Sequence, residues 1–359
     1  MTDDTAISGI PDEEVLTAFS DEILHLILLP TEQCNFRCVY CYEDFSVGTM
    51  KEPVVAGVKR LLERRIPTLR QLHIGWFGGE PLIAQKVIQD ISESVLALTR
   101  TAPGITYTSE VTTNAYHLDP ATAQRLYDLN IRQYQISLDG PEEIHDQTRI
   151  QRNGGGSFQK IWTNLLGLKA SSLDIRVTLR VHVTPANLNA MPEFLSEIRK
   201  EFLQDSRFVV LLKSVGHWGG PNDEEFNVLG ASESRQAISE LEKLINGQGG
   251  GADKVYHPGS VCYASRPNSL LIRATGEVGK CTVALSDPAN NIGRLLEDGT
   301  LKLREERLGP WLRGWTKDSS KVLGCPLVGL PRSQGEPVLM QIGVRPPGLS
   351  RSGDAKVGK

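Results

Sequence analysis

Three cysteines stand within eight residues: Cys34, Cys38 and Cys41, in the stretch TEQCNFRCVYCYEDF (31–45), spaced C-x3-C-x2-C. Thiolates are soft ligands that select zinc, copper(I) or iron–sulfur clusters. A structural zinc takes four ligands, so zinc here needs a fourth from elsewhere in the chain. Cys38-Val39-Tyr40-Cys41 alone fits a thioredoxin-type redox pair, which leaves Cys34 unassigned. A cubane on three thiolates keeps one iron without a protein ligand, and that open position can take a substrate or cofactor. The other cysteines, Cys262, Cys281 and Cys325, form a second group near the far end. Six cysteines in a chain of 359 residues are not a disulfide framework. In a reducing compartment, clustered cysteines are more often metal ligands or redox groups.

The elements that must position these residues alternate from residue 23 to about 245. Strand-like runs at 23–29, 70–77, 105–113, 132–138, 174–183 and 207–215 are followed by helix-like segments at 52–66, 83–100, 119–130, 157–171, 187–202 and 232–246. Asp119 is placed to cap its helix, with Pro120 at the first helical position. Strands alternating with helices imply a parallel sheet with right-handed crossovers. Six repeats fit an α/β fold of the partial (β/α)6 TIM-like barrel type, or an open doubly wound sheet. In either, chemistry gathers at the carboxyl ends of the strands, and the cysteine loop directly follows the first of them.

Around this core (23–245) the chain divides into an acidic N-terminal segment, 1–22, and a flexible linker, NGQGGGADK (246–254). A shorter, loop-rich domain follows at 255–330, with LLIRATGEVGKCTV (270–283) as a small hairpin turning at Thr275-Gly276. The tail 331–359, rich in proline and glycine, reads as disordered. About 20 residues before the first strand are too few for a peptide-recognition domain. The net charge of -4 gives no reason to expect nucleic acid as a partner. The longest apolar run, ILHLILL (23–29), is too short to cross a bilayer, and the N-terminus is unlike a secretory signal. A cytoplasmic protein without membrane contact is expected.

Further residues stand where successive strands end: WFGGEP (76–81), TTNA (112–115), SLDG (137–140), then IHDQTR (144–149) and GGGSF (154–158). Singly, each has a plain reading: a glycine turn, an Asp-Gly turn, a solvated arginine. In this order, and with Tyr40 before the last cysteine of the loop, they resemble the radical S-adenosylmethionine (SAM) superfamily, in its peptide-modifying branch. The resemblance implies a [4Fe–4S] cluster on Cys34, Cys38 and Cys41, whose open iron binds SAM through its amino and carboxylate groups. It implies that Gly78 and Gly79 allow close backbone approach, that Glu80 helps hold the methionyl ammonium, and that Ser137 and Arg149 contact the SAM carboxylate. Tyr40 is expected near the adenine, and Asn114 is counted with the SAM-binding residues. Ala115 stands where the family commonly has glycine.

Cys262, Gly276 and Cys281 fit C-x13-G-x4-C, and Cys325-Pro326 follows in LGCPLVGLP (323–331). That resembles the SPASM or twitch extension, truncated here, and implies one auxiliary [4Fe–4S] cluster on Cys262, Cys281 and Cys325. The fourth ligand is then a non-cysteine residue or the substrate. The alternative is a degenerate domain whose cysteines are buried and structural. The implied activity is that of an oxidoreductase-type maturase. A 5′-deoxyadenosyl radical removes hydrogen from a side-chain carbon of a ribosomally made precursor peptide, and a crosslink or ring forms. Sulfatase-maturase-like oxidation of Cys or Ser to formylglycine, and peptide epimerisation, are the alternatives. A zinc- or cluster-binding module without catalysis is the non-enzyme one. The partners implied are the precursor peptide, an electron donor such as flavodoxin or ferredoxin, and a separate leader-peptide recognition protein. KSVGHWGGPNDEEF (213–226) is a candidate substrate loop; a rigid glycine turn with Trp218 packed inward is the plainer reading. Asp139 suits either a base near the site or a turn cap. For His25, His73 and His182, core packing is expected.

Overall fold

The computed structural model describes residues 10–220, 222–245, 261–316 and 319–331. The expected linker and all but the first residue of the expected tail lie outside them. The chain opens with helix α1 (Asp12–Phe19), followed by β1 (Ile23–Thr31), α2 (Glu52–Arg65), β2 (Gln71–Gly78), α3 (Gln85–Arg100), β3 (Thr106–Thr113) and α4 (Pro120–Asp128). Next come β4 (Ile131–Leu138), α5 (Glu142–Thr148), α6 (Phe158–Ala170), β5 (Arg176–Val183), α7 (Met191–Glu201), β6 (Phe208–Ser214) and α8 (Ala231–Ile245). The extension adds β7 (Ser269–Ile272), β8 (Glu277–Gly279), β9 (Gly293–Leu295), β10 (Leu301–Leu303), α9 (Glu305–Leu312) and α10 (Ser320–Gly324).

Strands β1 to β6 pair in parallel and in chain order, so each crossover returns to the neighbouring strand. The sheet has free edges and does not close. On the helix-covered face the side chains are apolar and buried: Leu24, Leu26 and Leu28 on β1, Tyr134, Ile136 and Leu138 on β4, Val177, Leu179 and Val181 on β5. Because side chains alternate along a strand, the other face carries His25, Gln133, Gln135, Ser137, Thr178, Arg180 and His182. A closed barrel of this kind packs its interior with branched apolar residues. A polar inner face instead leaves room for a hydrated or ligand-bearing groove.

Helix boundaries depart from the sequence reading for local reasons. Glu80 caps the turn Pro81–Ala84, accepting a hydrogen bond from Leu82 N, so α3 starts at Gln85. Asp119 caps α4 as expected, accepting from Thr122 N at 2.7 Å. IHDQTR lies largely within α5, a short helix the sequence reading did not assign. The expected hairpin exists as β7 and β8, with Gly276 at φ +82. It is not set apart from the core sheet, however: β7 pairs in parallel with β1, and the sheet runs β10-β9-β8-β7-β1-β2-β3-β4-β5-β6. Helix α1, also unassigned in the sequence, docks on this extension through Phe19 against Trp315 and an ion pair between Glu14 and Arg266.

Candidate active site

The cysteine loop leaves the carboxyl end of β1 and is fixed on three sides. The Gln33 side chain donates to Val47 O at 3.0 Å, tying the loop's two ends together. Arg37 N donates to Ile150 O and Val39 N to Thr148 O, joining the loop to the end of α5 and the residues after it. On the third side Glu80 N donates to Gln33 O at 2.9 Å. Gly78 and Gly79 permit that contact: a Cβ on Gly79 would stand 2.4 Å from Gln33 O, and one on Gly78 2.1 Å from Thr31 O.

The three thiols of this loop are free and partly exposed. They lie within reach of one another's charge: burial, the Glu80 carboxylate and the charges of Cys38 and Cys41 raise the Cys34 thiol. Burial pushes Cys41 up to about 12, helped by Cys38. Burial also raises Cys38, against the nearby Arg149 guanidinium. A metal or cluster bound by these thiols must displace their protons. Among the described residues, no three His, Cys, Asp or Glu side chains are arranged to hold a single metal ion. Buried polar atoms without partners stand beside the loop, at Asn35 Nδ2 and Arg149 Nε. Three free thiols on one loop, with orphaned donors around them, fit a multi-iron cluster with a polar ligand of its own.

Glu80 is fully buried and accepts hydrogen bonds from Leu82 N, Thr113 Oγ1 and Asn114 N, at 2.9, 2.7 and 2.7 Å. Burial raises its carboxyl above the ordinary range, and these bonds oppose the rise. Asn114 also donates from Nδ2 to Asn35 Oδ1 at 2.8 Å, beside Cys34. The ends of β2 and β3 are thereby locked to the start of the cysteine loop.

A second network centres on Asp139, only 1% exposed. Its carboxylate accepts from Tyr40 OH at 2.9 Å and Thr148 Oγ1 at 2.7 Å, and lies 3.0 Å from His182 Nδ1. Burial alone would raise this carboxyl; the His182 bond and the His182 and Arg149 charges hold it well below the usual range. Arg149 donates to Tyr40 OH at 2.8 Å. Tyr40 is thus clamped through its hydroxyl, with its ring against His182 and Phe226. Asp139 is more than a turn cap: it organises the aromatic of the cysteine loop. His182, expected as core, sits in that network, and its place on the inner face of β5 was the available signal.

Cys34, Cys38, Cys41, Tyr40, Gly78, Gly79, Glu80, Asn114 and Arg149 thus meet in one constellation. Ser137 is on the inner face at the end of β4, one strand from His182. Cys262, Cys281 and Cys325 form a separate group. Burial and the charges of Cys281 and Cys325 raise the Cys262 thiol to about 11. Lys280, wholly buried, lies beneath them and donates to Arg266 O and Ser269 O. An apolar cluster of Ile27, Leu29, Leu271 and Leu285, with Tyr42, Phe77 and Tyr263 against it, lies on the inner side of β1 and β7. The glycine-rich loop after β6 covers the cysteine loop: Gly220 abuts Cys41 O, and Asn222 donates to Val39 O. Trp218 is 48% exposed rather than packed inward. His25 and His73 face the interior, where His73 pairs with Glu110 and His25 with Ser269.

A parallel α/β sheet with a three-thiol loop after its first strand defines a class, and the comparisons agree. Residues 28–198 match the model of the radical SAM superfamily, so this stretch of the chain is a radical SAM domain. The cofactors of this class are a [4Fe–4S] cluster and SAM. Among curated relatives, a GTP 3′,8-cyclase of Microcystis aeruginosa is 28% identical over 284 residues, spanning 73% of this chain and 82% of its own. A cysteine-type anaerobic sulfatase-maturating enzyme of Clostridium novyi is 26% identical over 233 residues, 62% of this chain and 59% of its own. Among solved structures, anSMEcpe with bound AdoMet and Kp18Cys peptide superposes with a TM-score of 0.61 at 17% identity, over 81% of this chain and 84% of that one. Streptococcus suis SuiB bound to the precursor peptide SuiA gives 0.57 at 14%, over 89% and 73%. At these identities the structural likeness is one of fold. No helix among the described residues is long and apolar enough to cross a membrane.

Proposed function

We propose that this chain is a peptide maturase that forms a crosslink or ring at a side-chain carbon of a precursor peptide. The observation that supports the reading is the presence of two separate sets of three free thiols, one on the loop after β1 and one in the extension whose β7 pairs with β1. Cys34, Cys38 and Cys41 would hold the SAM-binding cluster, and Cys262, Cys281 and Cys325 an auxiliary one. When bound, cluster and SAM supply a 5′-deoxyadenosyl radical that removes hydrogen from an unactivated carbon. The protein's part is positional. Glu80 and Asn114 fix the loop that presents the thiols, and Ser137 and Arg149 offer a hydroxyl and a guanidinium to the SAM carboxylate. Asp139 and His182 orient Tyr40. The loop bearing Gly220 and Phe226, with the apolar cluster of β1 and β7, excludes water that would quench a radical.

A reductant of the flavodoxin or ferredoxin type, a separate leader-binding protein and a cytoplasmic setting belong to the same proposal. Formylglycine formation is a neighbouring reading, supported by the sulfatase-maturating relative. The relatives named GTP 3′,8-cyclase support a second one, ring closure on a nucleotide. The test is iron and sulfide content after anaerobic reconstitution, in the wild type and in the C34A/C38A/C41A variant. About eight irons falling to about four is the expected result, with SAM cleavage lost. About four falling to none removes the auxiliary cluster, and zinc without SAM turnover overturns the proposal.

A further inference from the structure

The inner face of β5 carries a cation that the constellation above does not use. Arg180 is the register partner of Ser137 on β4 and of Leu211 on β6. Its chain neighbours Leu179 and Val181 face the helices, so by the alternation of a strand its own side chain projects into the groove. Its Nε is buried without a hydrogen-bond partner, and no described residue pairs with its guanidinium. A guanidinium nitrogen buried without a partner is costly unless an acceptor arrives to meet it.

Arg149 and Arg180 act on largely different groups and meet at His182. The Arg149 charge acts on Cys38, Cys41, Tyr40 and Glu80. The Arg180 charge acts on Tyr42, His182 and Lys213. Lys213, on the inner face of β6 and the register partner of His182, in turn feels Cys325. Arg180 and Lys213 therefore stand on the same inner face of the neighbouring strands β5 and β6, with Lys213 within reach of the Cys325 charge.

We propose that Arg180, with Lys213 beside it, is a specificity-determining site that receives an oxyanion of the substrate. A guanidinium binds such groups through two parallel hydrogen bonds, which fixes direction as well as charge. The oxyanion is either the carboxylate of an acidic peptide residue or a nucleotide phosphate. The site rests on the groove being the substrate site of a radical SAM enzyme, not on the peptide reading.

The experiment is isothermal titration of the reconstituted, SAM-loaded enzyme with three probes: Ac-Glu-Glu-Glu-NH2, its Gln counterpart and GTP. The proteins are the wild type, Arg180→Met and Arg180→Lys. The expected result is that the Glu peptide or GTP binds the wild type, at least tenfold more weakly to Arg180→Met, with partial recovery in Arg180→Lys. The Gln peptide should bind all three proteins equally weakly. Binding of the Glu peptide alone keeps the maturase reading. Binding of GTP alone, lost in Arg180→Met, keeps the oxyanion site and overturns the peptide reading. Three outcomes overturn the site itself: neither anion binds the wild type, Arg180→Met binds as well as the wild type, or the substitution weakens SAM instead. The last would assign Arg180 to the SAM carboxylate.

Discussion

Replacing Gly79 with alanine should damage the cysteine loop through sterics alone. The backbone at Gly79 has no positive φ, so alanine carries no conformational penalty there. Its Cβ, however, would lie 2.4 Å from Gln33 O and 2.6 Å from Gln33 C, about 1 Å inside ordinary contact. Both neighbours are backbone, and the Glu80 N to Gln33 O bond of 2.9 Å ties the same two segments together. Relief requires the loop to move away from β2 just before Cys34. Overpacking of this kind costs about 1–3 kcal/mol, which for a chain of this size lowers Tm by about 1–4 °C. Thermal unfolding of the apoprotein reads that cost, and iron bound after reconstitution reads the displacement of Cys34. Gly48→Ala, in the same loop with nothing within 4 Å of its Cβ, is the control and should change neither. Gly78→Ala, with a φ of +117 and a 2.1 Å clash with Thr31 O, should be worse than Gly79→Ala. Wild-type stability and iron content in Gly79→Ala would refute the claim that the glycine exists for close approach.

Three further outcomes follow from other contacts. Asp139→Ala leaves Tyr40, Thr148 and His182 without their shared acceptor and should cost about 3 kcal/mol in urea unfolding; Asp139→Asn should cost less, and equal losses would argue against a role for the charge. Glu32 is buried and paired with Arg273, joining the cysteine loop to the extension. Glu32→Ala should destabilise by about 3–5 kcal/mol, whereas the double variant with Arg273→Met should lose less than the two single losses added; strict additivity in that cycle would show the pair to be idle. His25 is held neutral, its pKa lowered to about 3 by burial, by the charge of His73 and by those of Arg266 and Lys280, against Glu110. The unfolded chain takes up a proton below about pH 6.5 while the folded one does not until about pH 3. Stability should therefore fall as pH drops through that window, by at most about 1.4 kcal/mol per unit, and His25→Gln should flatten this part of the profile measured by urea unfolding.

The sequence by itself determined the six β–α units, the thiol loop after the first strand and the glycine pair after the second. These are local matters. Apolar periodicity specifies each strand and helix, Asp119 and Pro120 mark the start of α4, and consecutive chemistry-bearing residues such as Cys38 and Cys41 need no knowledge of the fold to be noticed. What the sequence left open depends on register and on approach between distant segments. Arg180 is an isolated charge in the sequence; it becomes a groove-facing cation only because β5 pairs with β4 in a register that sets it beside Ser137. Asp139 and His182 are 43 residues apart, and only the parallel pairing of their strands brings them to Tyr40. The joining of β7 to β1 was likewise out of reach, because the free edge of a sheet hydrogen-bonds through its backbone, and backbone groups are the same in every sequence. Side-chain chemistry was written residue by residue; which side chains meet was decided by strand register and by the packing that holds it.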